Sequence, residues 1–254
     1  VVADDEFFRY FGSQQVRLSV SYDYNKFSQT NNPSVGGQGQ QSSGIFKLHP
    51  QIVADGNKWR LNAGLAVYMD EDFMPSKVRF FFKPIAEFKY NVVSNILVPY
   101  LGIGGYIRRN SFRSFTDENP FVTTALPLAN TEQIVELYGG VRGSISSNIT
   151  FNVRASQAKY NMLPLYVNDT TTTPDNRFTV VYDTVTINTF SGEIAYRKTE
   201  KLNFILKGDY FDYSLLNEQK AWHRPNYKVT FTGVYNLKDK IILRADIYGI
   251  SKQY

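Results

Sequence analysis

The feature that most constrains this sequence is an alternation of apolar and polar residues, which recurs along the whole chain. Between Gln15 and Phe27 every second residue is apolar or aromatic: Val16, Leu18, Val20, Tyr22 and Tyr24. Because successive side chains on a strand point to opposite faces, such a segment forms a strand with one apolar and one polar face. Windows of about a dozen residues do not show the i, i+3, i+4, i+7 spacing of an amphipathic helix. The sequence therefore predicts an all-β protein.

Eleven segments carry this pattern, although two of them alternate less regularly. They are predicted at residues 15–27, 44–55, 58–70, 77–90, 96–109, 134–146, 149–160, 184–198, 202–214, 225–236 and 241–253. Strands of soluble proteins average only about 5–6 residues, whereas a tilted strand needs about 9–11 residues to cross a bilayer. The lengths favour an antiparallel up-and-down transmembrane β-barrel, or a contiguous part of a larger barrel with about 11–12 strands.

Short and long connections alternate along the chain. Short turns are predicted at 55–57, 91–95, 146–148, 198–201 and 237–240, and longer polar stretches at 28–43, 70–76, 110–133, 161–183 and 214–224. An outer-membrane barrel has short turns at its periplasmic end and long loops at its outer end. On this plan residues 1–254 form one barrel segment, with 1–14 as a periplasmic lead-in. Bacterial single-chain barrels have even strand numbers, so eleven strands indicate either a piece of a longer barrel or a count wrong by one.

The composition removes several other classes of protein. The 254 residues include no cysteine, which excludes a disulfide scaffold, a thiolate metal site and a cysteine nucleophile. No apolar run approaches the ~20 residues of a membrane-spanning helix. The mean hydropathy of -0.32 is compatible with a barrel, because only alternate residues of its strands face lipid. The net charge of +5 is spread singly along the chain, so we expect no nucleic-acid partner, and no motif predicts a cofactor.

The polar faces of the predicted strands carry more basic than acidic side chains. The charged residues expected to face the barrel interior are Arg17, Arg60, Arg79, Lys83, Glu87, Arg142, Arg154, Glu193, Arg197, Lys207, Asp209, Arg244 and Asp246. If these faces line a water-filled lumen, its field is positive and favours anionic solutes. In the alternative interpretation, the charges pair across neighbouring strands and stabilise the sheet.

Aromatic residues concentrate near the ends of the predicted strands, on the face without charges. They are Tyr22, Tyr24, Phe27, Phe88, Tyr90, Tyr196, Tyr210, Tyr227 and Tyr235. This placement is typical of the aromatic girdles that lie at the two membrane interfaces. The alternative is aromatic packing in the core of a soluble sheet.

Few residues suggest catalysis or metal binding. The two histidines, His49 and His223, have no neighbouring carboxylate that would indicate a triad or a metal site. The acidic clusters 70–72 and 117–119 lack EF-hand spacing and are expected to be solvated loop tips. Glycines in 102–105 and 139–143 precede no helix that could cradle a phosphate, and we expect them to relieve strain where the sheet bends. The sequence predicts neither an enzyme nor a metal site.

With the strands placed, the chain resembles the barrel portion of outer-membrane proteins of the Bacteroidota, in the TonB-dependent receptor-like group. Four segments carry the resemblance: RLNAGL from Arg60, SFRSFTDENPF from Ser111, LYGGVRG from Leu137 and AWHRP from Ala221. The resemblance implies a Gram-negative outer membrane, contact with its lipid, and coupling to the periplasmic protein TonB through a part outside these residues. The sequence departs from the receptor pattern, because it contains no TonB box, no plug domain and only about half of the 22 strands implied.

These observations lead to a functional hypothesis with one main rival. We expect an outer-membrane barrel for solute passage or uptake, similar to the barrel of a TonB-dependent receptor. The rival is a structural outer-membrane protein, such as a subunit of an assembly or secretion complex, whose barrel conducts nothing. A weaker third hypothesis is an outer-membrane hydrolase that uses His49 or His223.

Overall fold

The computed structural model describes residues 13–28, 40–72, 77–93, 96–123, 126, 128–170, 177–199, 201–237 and 240–253. Strands make up 78% of the structure and helix 3%, so the predicted all-β class is confirmed. The predicted lead-in 1–14 lies outside the described residues, except for its last two residues, which belong to the first strand. No helix of the described part is long and apolar enough to cross a membrane.

Eleven strands form one antiparallel sheet in which every strand pairs with its neighbours in the chain. The strands are β1 Ser13–Ser28, β2 Gln40–Asp55, β3 Trp59–Asp72, β4 Lys77–Tyr90, β5 Leu97–Arg108, β6 Thr131–Ser146, β7 Ile149–Asn168, β8 Phe178–Thr199, β9 Leu202–Leu215, β10 Tyr227–Leu237 and β11 Ile241–Ile250. Consecutive connections therefore lie at opposite ends of the sheet. The turn end lies where β2, β4, β6, β8 and β10 end, and it includes the turns 56–58 and 147–148. The loop end lies where β1, β3, β5, β7 and β9 end, and it includes the 109–130 connection, described except for residues 124, 125 and 127, and the 216–226 connection.

The β7–β8 hairpin is longer than predicted. The sequence interpretation placed a loop at 161–183, whereas β7 continues to Asn168 and β8 already begins at Phe178. The alternation fails there because the register shifts between Tyr160 and Leu163, and Met162 has a φ of 54°. A bulge of this kind moves the side chains beyond it to the other face, so the period-two pattern is interrupted although the strand continues.

A short helix, α1 Phe112–Glu118, lies within the β5–β6 connection, where a loop was predicted. Ser111 caps it: its side chain accepts a hydrogen bond from the Ser114 backbone N–H, and the Ser114 hydroxyl accepts one from the Ser111 N–H. This reciprocal capping satisfies N–H groups that a helix start leaves unpaired. The helix is too short to produce a recognisable apolar period, so the sequence pattern missed it.

The two faces of the sheet differ in an unusual way, because the apolar face is the exposed one. We call it the outward face. Exposed residues on it include Leu18 at 65%, Phe80 at 62%, Phe82 at 63% and Ile247 at 65% of full exposure. Tyr22, Tyr24, Tyr90, Tyr210, Tyr227 and Tyr235 are also exposed, and the side chain of Phe27 lies outside the described residues. A soluble sheet buries its apolar face, so this arrangement contradicts the soluble-core alternative.

The opposite face of the sheet is the inward face, and two small apolar clusters form near the loop end. One cluster joins α1 and the rest of the 109–130 connection to the tips of β7 and β8; its members are Phe115, Val122, Leu126, Leu128, Tyr166 and Val180. The second consists of Ile45, Ala66, Tyr68 and Ile107. The 109–130 connection is also hydrogen-bonded to β8, since the Thr123 N–H donates to the Phe178 carbonyl at 2.8 Å. It therefore lies against the tips of β7 and β8.

Two glycines on the inward face pack directly against tyrosine rings. A Cβ on Gly102 would lie 2.4 Å from Cζ of Tyr138, and a Cβ on Gly140 would lie 2.6 Å from the Tyr100 hydroxyl oxygen. The two glycines are the cross-strand partners of those tyrosines on β5 and β6. Close ring packing thus explains glycine at these two positions, and the predicted role in bending of the sheet stays a prediction.

Candidate functional site

The inward face carries all of the charged residues that the alternation assigned to the barrel interior. On β1, β3, β4, β6, β7, β8 and β9, each is separated from the exposed apolar residues of its strand by an odd number of positions. On β11, which is exposed on both faces, the cross-strand register places Arg244 and Asp246 on the same face as the others. Seven strands contribute them: β1, β3, β4, β6, β7, β8 and β9, with β11 adding Arg244 and Asp246 at the sheet edge. A role for them in solute passage stays a prediction.

Some of the predicted residues form ion pairs that join different strands. Arg79 Nη2 lies 3.1 Å from Asp70 Oδ2, Lys83 Nζ lies 2.5 Å from Glu132 Oε1, and Arg154 Nη2 lies 2.5 Å from Glu136 Oε1. Arg60 pairs with Asp55 on β2 at 3.3 Å. The Lys83 pair is largely buried and crosses from β4 to β6. These pairs correspond to the cross-strand interpretation of the inward charges.

Other predicted residues pair along a single strand. Lys89 Nζ lies 2.6 Å from Glu87 Oε1, Lys207 Nζ lies 3.3 Å from Asp209 Oδ2, and Arg244 Nε lies 2.7 Å from Asp246 Oδ2. The partners are two positions apart, so they lie on the same face.

Four of the predicted residues have no ion-pair partner in the part of the chain that the structure describes. They are Arg17, Arg142, Glu193 and Arg197, of which Arg17 donates to the Gln15 side chain at 2.9 Å. Three of the four are cations and Glu193 is an acid. The paired residues fit the cross-strand interpretation, whereas a positive field in a water-filled lumen stays a prediction.

A cavity of about 640 Å³ lies at the loop end of the inward face. We call it the mouth cavity. Strands β6 to β9 form one wall, the end of α1 forms a second, and the 216–226 connection together with Lys228 and Gln253 forms the third. Its volume falls within the range of about 300–1,000 Å³ that is typical of small-molecule sites.

Aromatic rings dominate the wall of the mouth cavity. They belong to Tyr160, Tyr166, Phe178, Phe211 and Tyr213. The two carboxylates in the wall are already engaged, because Glu136 pairs with Arg154 and Glu118 accepts a hydrogen bond from the Tyr166 hydroxyl at 3.0 Å. Lys228 has no hydrogen-bond or ion-pair partner among the described residues. The cavity thus offers stacking surfaces and a free cation to an organic ligand.

The AWHRP segment holds the 216–226 connection over this cavity. His223 Nδ1 lies 2.8 Å from the Tyr166 carbonyl oxygen, and its ring meets Phe178 edge-on at 4.8 Å between centroids. Arg224 Nη2 donates to the Pro164 carbonyl at 2.9 Å. These contacts give His223 a structural position in the loop, whereas His49 lies within β2.

Asp183 fixes the start of the same connection. It is 2% exposed, and it accepts hydrogen bonds from the backbone N–H groups of Asn217 at 3.0 Å and Glu218 at 2.9 Å, and from Thr184 at 2.7 Å. Burial raises the pKa of Asp183, but the hydrogen bonds from Glu218, Asn217 and Thr184 outweigh it and hold that pKa below its usual range. Asp183 lies beyond the exposed apolar residues of β8, Phe190 and Ile194, toward the loop end.

Within the acidic cluster 70–72, Glu71 is exposed as predicted, but Asp70 is not a solvated residue. Asp70 is 1% exposed, pairs with Arg79, and accepts a hydrogen bond from Asn130 Nδ2 at 2.7 Å. It thereby ties the end of the 109–130 connection to β3. Asp117 of the second cluster is exposed on α1, as predicted.

The fold is that of the barrel of TonB-dependent receptors. No family description matches the sequence, and no curated protein is similar to it. Among solved structures, the siderophore receptor PirA from Pseudomonas aeruginosa is 13% identical with a TM-score of 0.61, covering 95% of this chain and 46% of that one. The ferric enterobactin receptor PfeA, from the same organism, is 12% identical with a TM-score of 0.61, covering 95% of this chain and 39% of that one. The copper transporter OprC is 10% identical with a TM-score of 0.58, covering 87% of this chain and 39% of that one.

This chain thus spans less than half the length of each of these three structures. At such identities the similarity establishes the fold alone. The Bacteroidota origin suggested by the sequence stays a prediction, because these neighbours do not test it.

The sequence interpretation identified the inward face and missed the mouth cavity. The residues of its wall come from five strands, two connections and the segment after β11, which meet only in the folded chain. The AWHRP segment was the one part of this wall that the sequence analysis had noted, and it was noted for its resemblance to receptor barrels. The missing information was the bulge after Tyr160, which places Tyr166 beside α1.

Proposed function

We propose that this chain forms part of an outer-membrane barrel that takes up a solute, similar to the barrels of TonB-dependent receptors. The observation that carries this proposal is the exposed apolar outward face together with the charged inward face. Large apolar side chains are exposed on all eleven strands, and contiguous apolar patches of this extent mark membrane or protein interaction sites. Lipid is the environment that a barrel's outer face matches.

The solute's first contact in this proposal is the mouth cavity. It lies at the end of the long connections, which are on the extracellular side in barrels of this kind. Its rings and the free Lys228 would hold the solute before it passes along the inward face. Energy coupling through TonB would use a part of the protein other than these residues.

The test is cell fractionation followed by uptake measurement on the full-length protein. We expect the protein in the outer-membrane fraction, extractable only with detergent, and a strain without it to lose uptake of at least one solute. Recovery of a compact protein in the soluble fraction without detergent would overturn the proposal.

A second candidate is a structural outer-membrane protein with a non-conducting barrel. The observation that favours it is the number of inward charges engaged in ion pairs, such as Lys83 with Glu132 across β5. Liposome swelling and single-channel recording on the full-length protein distinguish the two candidates. A silent barrel with no uptake phenotype favours the structural role, whereas solute-dependent passage favours uptake.

A further inference from the structure

The outward face includes a row of polar side chains that crosses three strands. Gln157 on β7, Asn188 on β8 and Asp212 on β9 are cross-strand neighbours. Gln157 Nε2 donates to Asn188 Oδ1 at 2.9 Å, and Asn188 Nδ2 donates to Asp212 Oδ2 at 3.2 Å. We call these three residues the polar row. Each shares its face with exposed apolar residues of its strand, for example Asp212 with Tyr210.

An apolar groove begins next to the polar row. Its floor consists of the cross-strand pair Gly139 and Ala155, and the next side chains in that row are Leu101 on one side and Phe190 on the other. The groove and the polar row line one cavity of about 770 Å³. We call this groove the outer groove.

The outer groove continues along the strands, away from the loop end. A second hollow of about 450 Å³ shares Gly139, Ala155 and Phe190 with the first and reaches Gly192. A Cβ on Gly139 would approach only the Tyr100 carbonyl oxygen, at 3.6 Å, and a Cβ on Gly192 would meet nothing within 4 Å. At ~3.3 Å per residue, the four steps from Asn188 to Gly192 give the outer groove a length of about 13 Å along the strand. That length accommodates a segment of an extended acyl chain.

The polar row has hydrogen-bonding capacity that the protein does not use. Each side-chain amide has two N–H groups, and one N–H on Gln157 and one on Asn188 have no acceptor among the described residues. Asp212 Oδ1 likewise has no donor there. A carboxylate next to two amide N–H groups complements a head group in which an ammonium lies next to a phosphate.

We propose that the outer groove and the polar row bind one membrane lipid whose head group carries a primary ammonium beside a phosphate. The ammonium donates to Asp212, the phosphate accepts from Gln157 and Asn188, and one acyl chain lies over Gly139 and Ala155. A head group without a cation has no partner for the carboxylate, and a quaternary ammonium has no N–H to donate. This inference rests on the proposed membrane location.

The experiment is native mass spectrometry of the full-length protein in detergent. The protein is mixed with equal amounts of phosphatidylethanolamine, phosphatidylglycerol and phosphatidylcholine that carry identical acyl chains. We expect phosphatidylethanolamine to be retained roughly twofold to fivefold over phosphatidylglycerol, the range of an exposed ion pair. Asp212→Asn should bring this ratio close to one. Asp209→Asn makes the same charge change on the inward face of β9 and should leave the ratio unchanged.

A second variant tests the groove separately from the head group. Gly139→Leu fills the floor of the outer groove and should lower retention of all three lipids. Its fold is checked by heat-dependent migration on a denaturing gel. Equal retention of the first two lipids by the unmodified protein, a preference that survives Asp212→Asn, or full retention by Gly139→Leu overturns the inference. A protein that needs no detergent instead contradicts the membrane location, and this is apparent before any lipid is added.

Discussion

Two inward tyrosines depend on the glycines opposite them. The Tyr138 hydroxyl donates to Glu87 Oε2 at 3.3 Å, and Arg154 stacks on the Tyr138 ring at 4.2 Å from its centroid. The ring can hold both contacts only because Gly102 has no side chain in the space that it occupies. Glycine therefore positions an ion-pair network here by leaving room for it.

We predict that Gly102→Ala destabilises the protein by about 1–3 kcal/mol, the usual cost of overpacking. The added methyl group would overlap the Tyr138 ring and also lie 2.8 Å from the Ala86 carbonyl oxygen. Unfolding of the full-length protein by guanidinium in lipid vesicles measures the change. Gly104→Ala is the matched control, because it lies on the same strand and its Cβ meets nothing within 4 Å. Equal stabilities of the two variants would contradict this account.

At this scale the sequence predicted faces but not neighbours. Alternation placed Glu87 and Arg154 on one face, because the face of a residue depends only on its position along the strand, but it did not predict that Tyr138 packs on Gly102. Their contact depends on the β5–β6 register, which the irregularity between Gly104 and Tyr106 helps to set. That register is not encoded in a local pattern, and so the ring packing on the glycines was not predicted.

The 109–130 connection is held in place as an element by one central side chain. Phe115 is 1% exposed and meets Tyr166 edge-on at 6.2 Å. We predict that Phe115→Ala loosens this connection by about 3–5 kcal/mol, the usual cost of removing a buried phenylalanine. Amide hydrogen exchange across 112–123 measures the effect. Phe121→Ala, which removes a ring that is 66% exposed, should leave exchange nearly unchanged; similar exchange in both variants would exclude this role.

The 216–226 connection should respond to acid through Asp183. Because the folded-state pKa of Asp183 lies below its usual value of 3.8, its stabilising contribution is complete above that value. It is lost only as the pH falls through the lowered pKa. We predict constant protection of the Asn217 and Glu218 amides from pH 7 to about pH 5, with loss at lower pH. Hydrogen exchange measures this, and loss of protection already at pH 6 would be inconsistent with it.

A substitution separates this carboxylate from general acid effects. Asp183→Ala leaves buried N–H groups without an acceptor, which costs about 1–3 kcal/mol, so the connection should exchange faster even at pH 7. The matched control is Asp117→Ala, since Asp117 is exposed and its ion pair with Arg113 spans 3.8 Å. If the control loosened the connection equally, Asp183 would not be its anchor.

Element boundaries followed from the sequence only where alternation was uninterrupted. The prediction for β4 agrees with the structure at both ends, because every second residue from Val78 to Tyr90 is apolar or aromatic. The tips of β7 and β8 were missed, since the bulge after Tyr160 and the apolar run from Leu163 to Val167 break the period. That run is buried by connections distant in sequence, so a local pattern could not reveal it.

Across the whole molecule the apolar face of the sheet is exposed, the reverse of a soluble sheet. Two adjacent residues of β9 provide a test of this arrangement. Leu206 points outward and is 49% exposed, while its neighbour Ile205 points inward. We predict that Leu206→Arg lowers the free energy of unfolding in a bilayer by about 2–4 kcal/mol, and that Ile205→Arg costs less. Guanidinium titration in vesicles measures both. A soluble protein would give the reverse order, because the more exposed position would tolerate arginine better.

At the same scale the sequence predicted which face carries the charges, but it did not predict the mouth cavity. The inward positions of Arg142 and Lys207 follow from period two alone. The mouth cavity requires two connections to fold back onto β7 and β8, and their contacts, such as Arg224 with Pro164, join residues far apart in the chain. Long-range contacts of this kind leave no periodic trace.

The strand order has a geometric consequence for closure of the sheet. Direction reverses at every step from β1 to β11, so the first and last strands run the same way. A direct seam between them would be parallel, with slanted and slightly weaker hydrogen bonds. An all-antiparallel cylinder instead requires an odd number of additional strands between those two edges, whether another stretch of polypeptide or another molecule supplies them.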